Sequence, residues 1–573
     1  MTVRMIQRRT LPKAAPQALH AMPLLSRIYV LRGVNAAEEL DHSLERMHPV
    51  STLGGVDAAI ELLLKHFKQQ TRIIVIGDFD TDGATSTALV VRQLRRLGFT
   101  DVDFLVPNRF TFGYGLTPEI VLLAAERDPQ LIITVDNGIS SLAGVETANR
   151  LGIEVLVTDH HLAGADLPYA AAIVNPNAPN NTFPSKALAG VGVAFYVMAG
   201  LTRAMIAQGL IAGNTVSVAS LLDLVALGTV ADVVSLDSNN RILVAQGIRR
   251  IRAGRCVPGI RAMLEVANKR IETTVAADLG FQVGPRLNAA GRLDDMSLGI
   301  QCLLTDDPVQ ARAMASQLNL LNQERRDIEQ QMQIEALNIL QQMRLDETNL
   351  PLGLCLYDAS WHQGVVGLVA SRVKERVHRP VIAMAMADEY TLKGSARSVP
   401  GVRIRDVLDA VAVRYPGLID KFGGHDMAAG LSIGLDKFEV FRAAFDQEVC
   451  RWMTHQDAVG VVLSDGELQE AELNVQTAQL LRESGPWGQG FAEPIFDGQF
   501  TVMDSRVLAE RHLKLKVMRG DTVCEAIAFG YFDHEGAQLF RVGDSVRLAY
   551  RLDVNEFRGE RRLQLLVEYL EKV

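Results

Sequence analysis

The sequence is poor in cysteine and has no CxxC pair: five cysteines stand at 256, 302, 355, 450 and 524 among 573 residues. Their wide spacing and odd number argue against a disulfide framework. They read as small buried residues in a reducing compartment, so a cytoplasmic location is expected. No run approaches the roughly 18–20 uninterrupted apolar residues of a membrane span. The basic opening MTVRMIQRRT is not followed by an apolar stretch with a cleavage site, so no secretory leader is read and no membrane partner is expected. A cationic surplus is missing too. Lys and Arg number 58 against 67 Asp and Glu, a net charge of −9. That argues against non-specific coating of duplex nucleic acid. A single strand threaded through a local basic channel stays open, because binding depends on where cations cluster and a divalent-metal site itself needs carboxylates.

With 573 residues, 48% of them hydrophobic, the chain exceeds one core and predicts three or four units. Residues 1–70 read as a helical segment broken by prolines. TRIIVIGDFD, LIITVDNG and EVLVTDHH then repeat one pattern, a short β-branched run ending in polar residues and followed by helix-like sequence. That pattern predicts βαβ units and a parallel sheet over residues 71–235. Residues 236–348 read as helical and end in a long helix over about 305–345, with no Gly and its one Pro in the first turn. Its sparse apolar positions suit a helix that bridges two domains. A smaller α/β region follows at 349–455. Alternating stretches such as HLKLKVM and SVRLAYRLDV predict an OB-like β-barrel over 460–573.

In IGDFDTDG, Asp78, Asp80 and Asp82 alternate just past a strand, and Gly83 follows. Continued strand geometry would put the three carboxylates on one side, and Gly83 permits a sharp turn. Such carboxylates repel one another unless a cation lies between them. A solvated loop would satisfy the same residues. An EF-hand would not, because a strand precedes the loop and the bidentate Glu that closes a calcium loop is absent. Asp136 closes LIITV ahead of Asn137-Gly138, and His160 and His161 follow Asp159 after EVLVT. Asp232 lies in LVALGTVADVV, where a lone carboxylate is costly to bury. Asp136 could cap a helix, the histidines could sit in a turn, and Asp232 could bond backbone amides. Their joint occurrence, with strand carboxyl ends being where α/β sheets gather ligands, favours a site. Oxygen donors with imidazole suit Mn²⁺, with Mg²⁺ less partial to nitrogen.

These residues resemble the motifs of the DHH phosphoesterases: alternating acids, a DNG-type Asp, Asp-His-His, and a later Asp. The resemblance implies two ions, Mn²⁺ or Mg²⁺, bridged by Asp136. One would be held by Asp80 with help from Asp78, the other by Asp82, His160 and Asp232, with His161 nearer the scissile phosphate. Asp80, Asp82, Asp136, His160, His161 and Asp232 would form the catalytic set. Ions about 3.5–4 Å apart activate water and steady both the attacking and the leaving oxygen. One position departs from the pattern: some relatives carry His where this chain has Ile76, which cannot ligate. The first ion is therefore expected to be weakly held, or to take Asp78 or water instead.

VPNRFTFGYGL (106–116), LAGVGVAFY (188–196), GPRLNAAGRLDD (284–295), WHQGVVGLVASR (361–372), GSARS (394–398) and KFGGHDMAAG (421–430) narrow the resemblance to the RecJ family, in that family's order. The implied architecture is a parallel-sheet DHH domain, a long helix, a smaller DHHA1 α/β domain and an OB-like barrel. The implied activity is metal-dependent 5′→3′ hydrolysis of single-stranded DNA to 5′ mononucleotides, in recombination and repair. Arg109, Ser395 and Arg397 resemble a pocket for a 5′-terminal phosphate, whose oxygens suit guanidinium forks and a hydroxyl. Tyr114 is grouped with Arg109 as substrate-binding. Gly423, Gly424 and His425 resemble a substrate-contacting turn. Arg286, Asn288 and Arg292 either face the DNA or brace the interdomain helix. A cleft too narrow for a duplex of about 20 Å would select single strands. Trp487, His512, Lys514, Lys516, Phe557 and Arg558 are candidate contacts of the barrel region, although Trp487 fits a buried core equally well. The resemblance also implies a monomer with a single-stranded-DNA-binding protein and a helicase as partners. Two rival readings are a DHH phosphodiesterase of small substrates, disfavoured by the barrel and long helix, and a non-catalytic single-strand-binding scaffold, disfavoured because every ligand is present.

Overall fold

A computed structural model describes residues 4–12, 19–107, 115–213, 217–342, 350–454, 457, 459–533, 537–557 and 559–573. The chain divides into two units: Leu11–Gln323 with Leu481–Glu493, and Met1–Thr10 with Glu324–Leu480 and Pro494–Val573. The first element corrects the expectation of a purely helical start. Arg4–Arg8 is a strand, β1, and the helices Pro23–Leu31 and Val56–Gln69 come after it.

In the first unit β2 (Ile73–Gly77), β3 (Val102–Leu105), β4 (Leu131–Val135), β5 (Glu154–Thr158) and β6 (Ala172–Val174) form one parallel sheet, ordered β3-β2-β4-β5-β6. Helices on a parallel sheet bury its strands on both faces, which is why these runs are continuously apolar. Ile73, Ile74, Val75 and Ile76 are fully buried, each contributing roughly 1.5–3 kcal/mol relative to exposure. Ile74 and Ile76 share one face, packed with Ile120, Ile132, Val145, Val155 and Val157. The strand order reverses between β2 and β4. In a doubly wound sheet, that reversal opens a crevice at the carboxyl ends of the strands.

Gly190–Ala207 is the one helix among the described residues long and apolar enough to cross a membrane, and 72% of it is buried. It packs against Val56–Gln69, Thr81–Arg96 and Leu222–Ala231, the environment of a central core helix.

The predicted long helix runs Pro308–Gln342, and the border between the units, Gln323/Glu324, falls inside it. In the second unit β7 (Leu354–Tyr357), β8 (Val381–Met386), β9 (Thr391–Arg397), β10 (Lys421–Gly424) and β11 (Ala428–Gly434) are ordered β10-β11-β9-β8-β7. Only β7 and β8 pair in parallel. Ile382, Met384, Val407, Phe441 and Phe445 build the core against this sheet. β12 (Gly460–Ser464) pairs in parallel with β1. β13 (Phe496–Leu508), β14 (His512–Arg519), β15 (Thr522–Ala528), β16 (Ser545–Phe557) and β17 (Glu560–Lys572) close the expected barrel. The 460–573 region is not one body, however, because Leu481–Glu493 packs with the first unit.

Arg8 ties the opening strand to the barrel. Its Nε and Nη2 donate to Asp497 Oδ1 and Oδ2, both at 2.9 Å, and Ser464 Oγ and Arg547 Nη2 donate at 2.6 and 3.1 Å. Burial alone would raise the Asp497 pKa, but these donors outweigh it and hold it at about 2. A carboxylate depressed in the folded state stabilises above its unfolded pKa of about 3.9, and that contribution fades as pH falls toward 2. Arg8→Ala should therefore cost roughly 1–2 kcal/mol at pH 7 in urea unfolding. The difference from the parent should shrink below about pH 4 and vanish near pH 2.

Candidate metal centre

The acids collect at the crevice between β2 and β4. Asp80 caps the helix Thr81–Arg96, where the Gly83 N–H donates to Asp80 Oδ1 at 3.0 Å. That cap turns the chain immediately after β2. Asp82, in the first turn, is 1% exposed. Both of its oxygens accept backbone N–H bonds from the start of helix Gly190–Ala207, Gly190 at 2.7 Å and Val191 at 3.0 Å. The positive end of a helix dipole is a favourable place for a carboxylate.

Asp136 follows β4 with φ +62°, a left-handed backbone uncommon outside glycine. Asn137 secures this turn, its Nδ2 donating to the carbonyls of Ile76 at 3.1 Å and Val135 at 2.9 Å. The ends of β2 and β4 are thereby stapled together. His160 Nε2 lies 3.1 Å from Asp136 Oδ1 and 3.5 Å from Asp232 Oδ2. His161 Nδ1 lies 2.7 Å from Asp159 Oδ1. Asp159 also accepts N–H bonds from Ile139, His160 and His161.

Three overlapping sets have ligand atoms within 4.8 Å of one another: Asp78, Asp80 and Asp136; Asp82, His160 and Asp232; and Asp136, His160 and His161. Burial, then repulsion from Asp232, pushes the Asp82 pKa up to about 7; burial, then Asp80, does the same for Asp232. Asp136 is raised well above the carboxylate range by burial and by Asp82, Asp80, Asp232 and Asp78. Burial lowers the His160 pKa. Burial also opposes charge on His161, but Asp159, Asp232 and Asp78 outweigh it and raise that pKa to about 9. His160 Nε2 and Asp232 Oδ2 are buried without a hydrogen-bond partner. Crowded acids destabilised by one another, an imidazole nitrogen with no donor to meet, and a mixed oxygen/nitrogen set are what divalent cations satisfy. The residues present thus fit Mn²⁺ or Mg²⁺. The side chain of Ile76 lies in the core and offers nothing to an ion.

The other sequence candidates separate. Asn288 Oδ1 accepts bonds from Thr81 N and Oγ1, both at 2.8 Å, so it supports the acidic turn from behind. Arg286 is 6% exposed; its Nε donates to Asn319 Oδ1 at 3.1 Å and its Nη1 to the Gln282 carbonyl at 2.5 Å. Arg286 thus touches the long helix, whereas Asn288 meets the turn after β2. In the second unit Ser395 and Arg397 come together on β9, where Arg397 Nη1 donates to Ser395 Oγ at 2.8 Å. Among the described residues no carboxylate pairs with Arg397, and burial lowers its pKa. A Cβ on Gly367, in the first turn of helix Val366–Val377, would come within 2.9 Å of Arg397 Nη2. Gly423 and Gly424 end β10, and exposed His425 follows, its N–H donating to the Ala428 carbonyl at 2.8 Å. Arg109, Tyr114 and Arg558, and the side chain of Phe557, lie outside the described residues.

Trp487 is an aromatic of the first unit, stacked on Tyr29 and Phe491 with Nε1 donating to the Leu481 carbonyl at 2.8 Å. It is not part of the barrel. On the barrel Lys514 pairs with Glu525 at 2.9 Å, His512 accepts the Gly530 N–H, and Lys516 is exposed. Sequence reasoning missed Gly190, Asn137 and Asp159 as functional parts. The signals were present in GVG, DNG and DHH, but their meaning depends on which atoms meet. A Cβ on Gly190 would stand 2.7 Å from Asp136 Cβ and Oδ1. Gly190→Ala should therefore weaken Mn²⁺ binding measured by calorimetry by about tenfold or more, with helical circular dichroism retained.

Comparison with known proteins agrees with this geometry. Residues 72–229 match the DHH family N-terminal domain, 351–450 the DHHA1 domain and 464–569 the RecJ OB domain. The chain is 53% identical over 572 residues to the single-stranded-DNA-specific exonuclease RecJ of Escherichia coli (strain K12), spanning 98% of each chain. It is 29% identical to that of Bacillus subtilis (strain 168), over 97% of this chain and 69% of the relative. The crystal structure of RecJ from Thermus thermophilus in complex with Mn²⁺ superposes with a TM-score of 0.79 at 31% identity, covering 97% of this chain and 77% of that one. A structure of the same protein with Mg²⁺ gives 0.74. By end-to-end identity, domain content and fold, the chain belongs to the RecJ family of DHH phosphoesterases.

Proposed function

We propose that this chain is a metal-dependent exonuclease that hydrolyses single-stranded DNA from its 5′ end to 5′ mononucleotides, in recombination and repair. The buried acid/histidine cage at the β2/β4 crevice carries the reading: its atoms need a cation, and family membership supplies the substrate class. Asp78, Asp80 and Asp136 would hold one ion and Asp82, His160 and Asp232 the other, and Asp136 would lie within reach of both, since it also groups with His160. Bound there, such ions would supply polarisation of the phosphodiester and activation of water.

The remaining work falls to the chain's own groups. Asp159 orients His161 through a 2.7 Å contact and favours its charged form. His161, 30% exposed at its side chain, can then donate to a phosphate oxygen while the buried His160 faces the cage. The Gly190 and Val191 amides hold the Asp82 carboxylate in place, so it need not reorganise when charge develops on the phosphate. Asn137 fixes the spacing of the two acidic turns. Ser395 and Arg397 offer a hydroxyl and a guanidinium with no acid partner among the described residues, suited to a 5′-terminal phosphate. A pocket built on these two would favour strands that carry a 5′-terminal phosphate. The same reading extends to a single-stranded-DNA-binding protein and a helicase as partners of a cytoplasmic monomer.

Asp136→Ala should abolish cleavage while leaving binding to labelled single strands measurable; an active variant would remove the shared-ligand assignment. Arg397→Ala should slow hydrolysis of 5′-phosphorylated strands about tenfold or more, with a smaller effect on 5′-hydroxyl strands. Equal losses on the two ends would contradict the phosphate pocket.

A further inference from the structure

Asp232 stands at the end of helix Leu222–Ala231, and the next residue is under strain. Val233 has φ +62°, a left-handed conformation that a β-branched side chain opposes and that persists only where the surroundings enforce it. Val233 is 62% exposed, so packing of the valine itself does not enforce it. The restraint lies three residues on, at Leu236. The Leu236 N–H donates to the Gln489 carbonyl at 2.8 Å, and the Leu236 carbonyl accepts from Arg241 Nη1 at 3.0 Å. Arg241 is itself placed from the same side, its guanidinium carbon 4.4 Å from the centre of the Phe491 ring.

Gln489 and Phe491 belong to Leu481–Glu493, the segment that packs with this unit although the chain before and after it belongs to the other. Its path is fixed independently of the metal cage. Tyr29 OH donates to the Ser484 carbonyl at 3.0 Å and Arg32 Nε to the Ala492 carbonyl at 2.7 Å. Trp487, Tyr29 and Phe491 form a cluster of mutually stacked rings, and Gly488 and Phe491 close a tight turn through two backbone bonds. The turn lies directly against the loop that follows Asp232. A Cβ on Gly490 would come within 2.2 Å of Ser235 Oγ, and one on Gly488 within 2.8 Å of Leu236 Cδ1.

We propose that the 488–491 turn and Arg241 are positioning elements for Asp232: they clamp Leu236, and through it hold the strained Val233 backbone that aims the Asp232 carboxylate into the cage. The inference rests on Asp232 being a metal ligand. It makes the C-terminal part of the chain a contributor to the metal site as well as a carrier of the barrel.

The test is calorimetric titration of full-length protein with Mn²⁺ in the absence of DNA, for the parent, Arg241→Gln, Phe491→Leu, Gly490→Ala and Asp232→Asn. The clamp variants should each bind Mn²⁺ about tenfold more weakly with unchanged far-ultraviolet circular dichroism. Adding Val233→Gly, which tolerates the left-handed backbone, should restore most of the lost affinity to Arg241→Gln and Phe491→Leu. Parent-like Mn²⁺ binding by Arg241→Gln and Phe491→Leu, beside weakened binding by Asp232→Asn, would overturn the clamp and leave the ligand reading standing. Weakened binding that Val233→Gly does not relieve would mark a general loss of structure and overturn it as well. Parent-like binding by Asp232→Asn would overturn the ligand reading and the clamp with it.

Discussion

Five carboxylates forced together out of water are the constraint on which this structure turns. Asp78, Asp82 and Asp136 are almost fully buried, and Asp80 and Asp232 adjoin them. Ionised together without a counter-charge they would repel strongly in a poorly screened interior, and burial first, then that repulsion, raises Asp82 and Asp232 to about 7. The fold meets the problem with separate devices: a helix N-terminus for Asp82, the Asn137 staple for the spacing of β2 and β4, and Asp159 for the orientation of His161. Divalent cations complete the arrangement, and their chemistry follows from the same charges.

The strand order explains why the acids can meet at all. Asp78, Asp80 and Asp82 leave β2 and Asp136 leaves β4, on either side of the point where the winding reverses. His160 arrives from β5, the next strand along, and Asp232 from the end of a buried helix. The second unit brings a different chemistry, an arginine and a serine on β9 suited to an anion, and a closed barrel with an exposed lysine on β14. The acid/histidine cage and the arginine–serine pair thus belong to separate units.

Much of this was legible in the sequence because it depends on local pattern. IIVIG, LIITV and EVLVT announce buried parallel strands by their β-branched content, and acids just beyond such strands mark a ligand crevice. The long helix was visible from a stretch free of glycine with a single proline at its start. What was not legible depends on contacts distant in sequence. Nothing near Arg4 says that it begins a strand, because the partner of β1 lies at Gly460–Ser464. Trp487 reads equally as a base-stacking ring or a core ring until Tyr29 is found beside it. Asn288 reads as a DNA contact or a brace of the interdomain helix, and its bonds to Thr81, 207 residues earlier, could not be seen in the sequence. Gly190 looks like a packing glycine in a helix, and its importance follows from the position of Asp136, 54 residues earlier in the sequence.

The central claim is that the cage serves directional hydrolysis of single-stranded DNA. The most direct measurement follows 5′-labelled and 3′-labelled single strands, with matched duplexes, in Mn²⁺, Mg²⁺ or EDTA. The account predicts immediate release of labelled mononucleotide from the 5′-labelled strand, progressive shortening of the 3′-labelled strand, little attack on duplex and none in EDTA. Degradation starting at the 3′ end, cleavage that persists in EDTA, or activity confined to dinucleotides would contradict it.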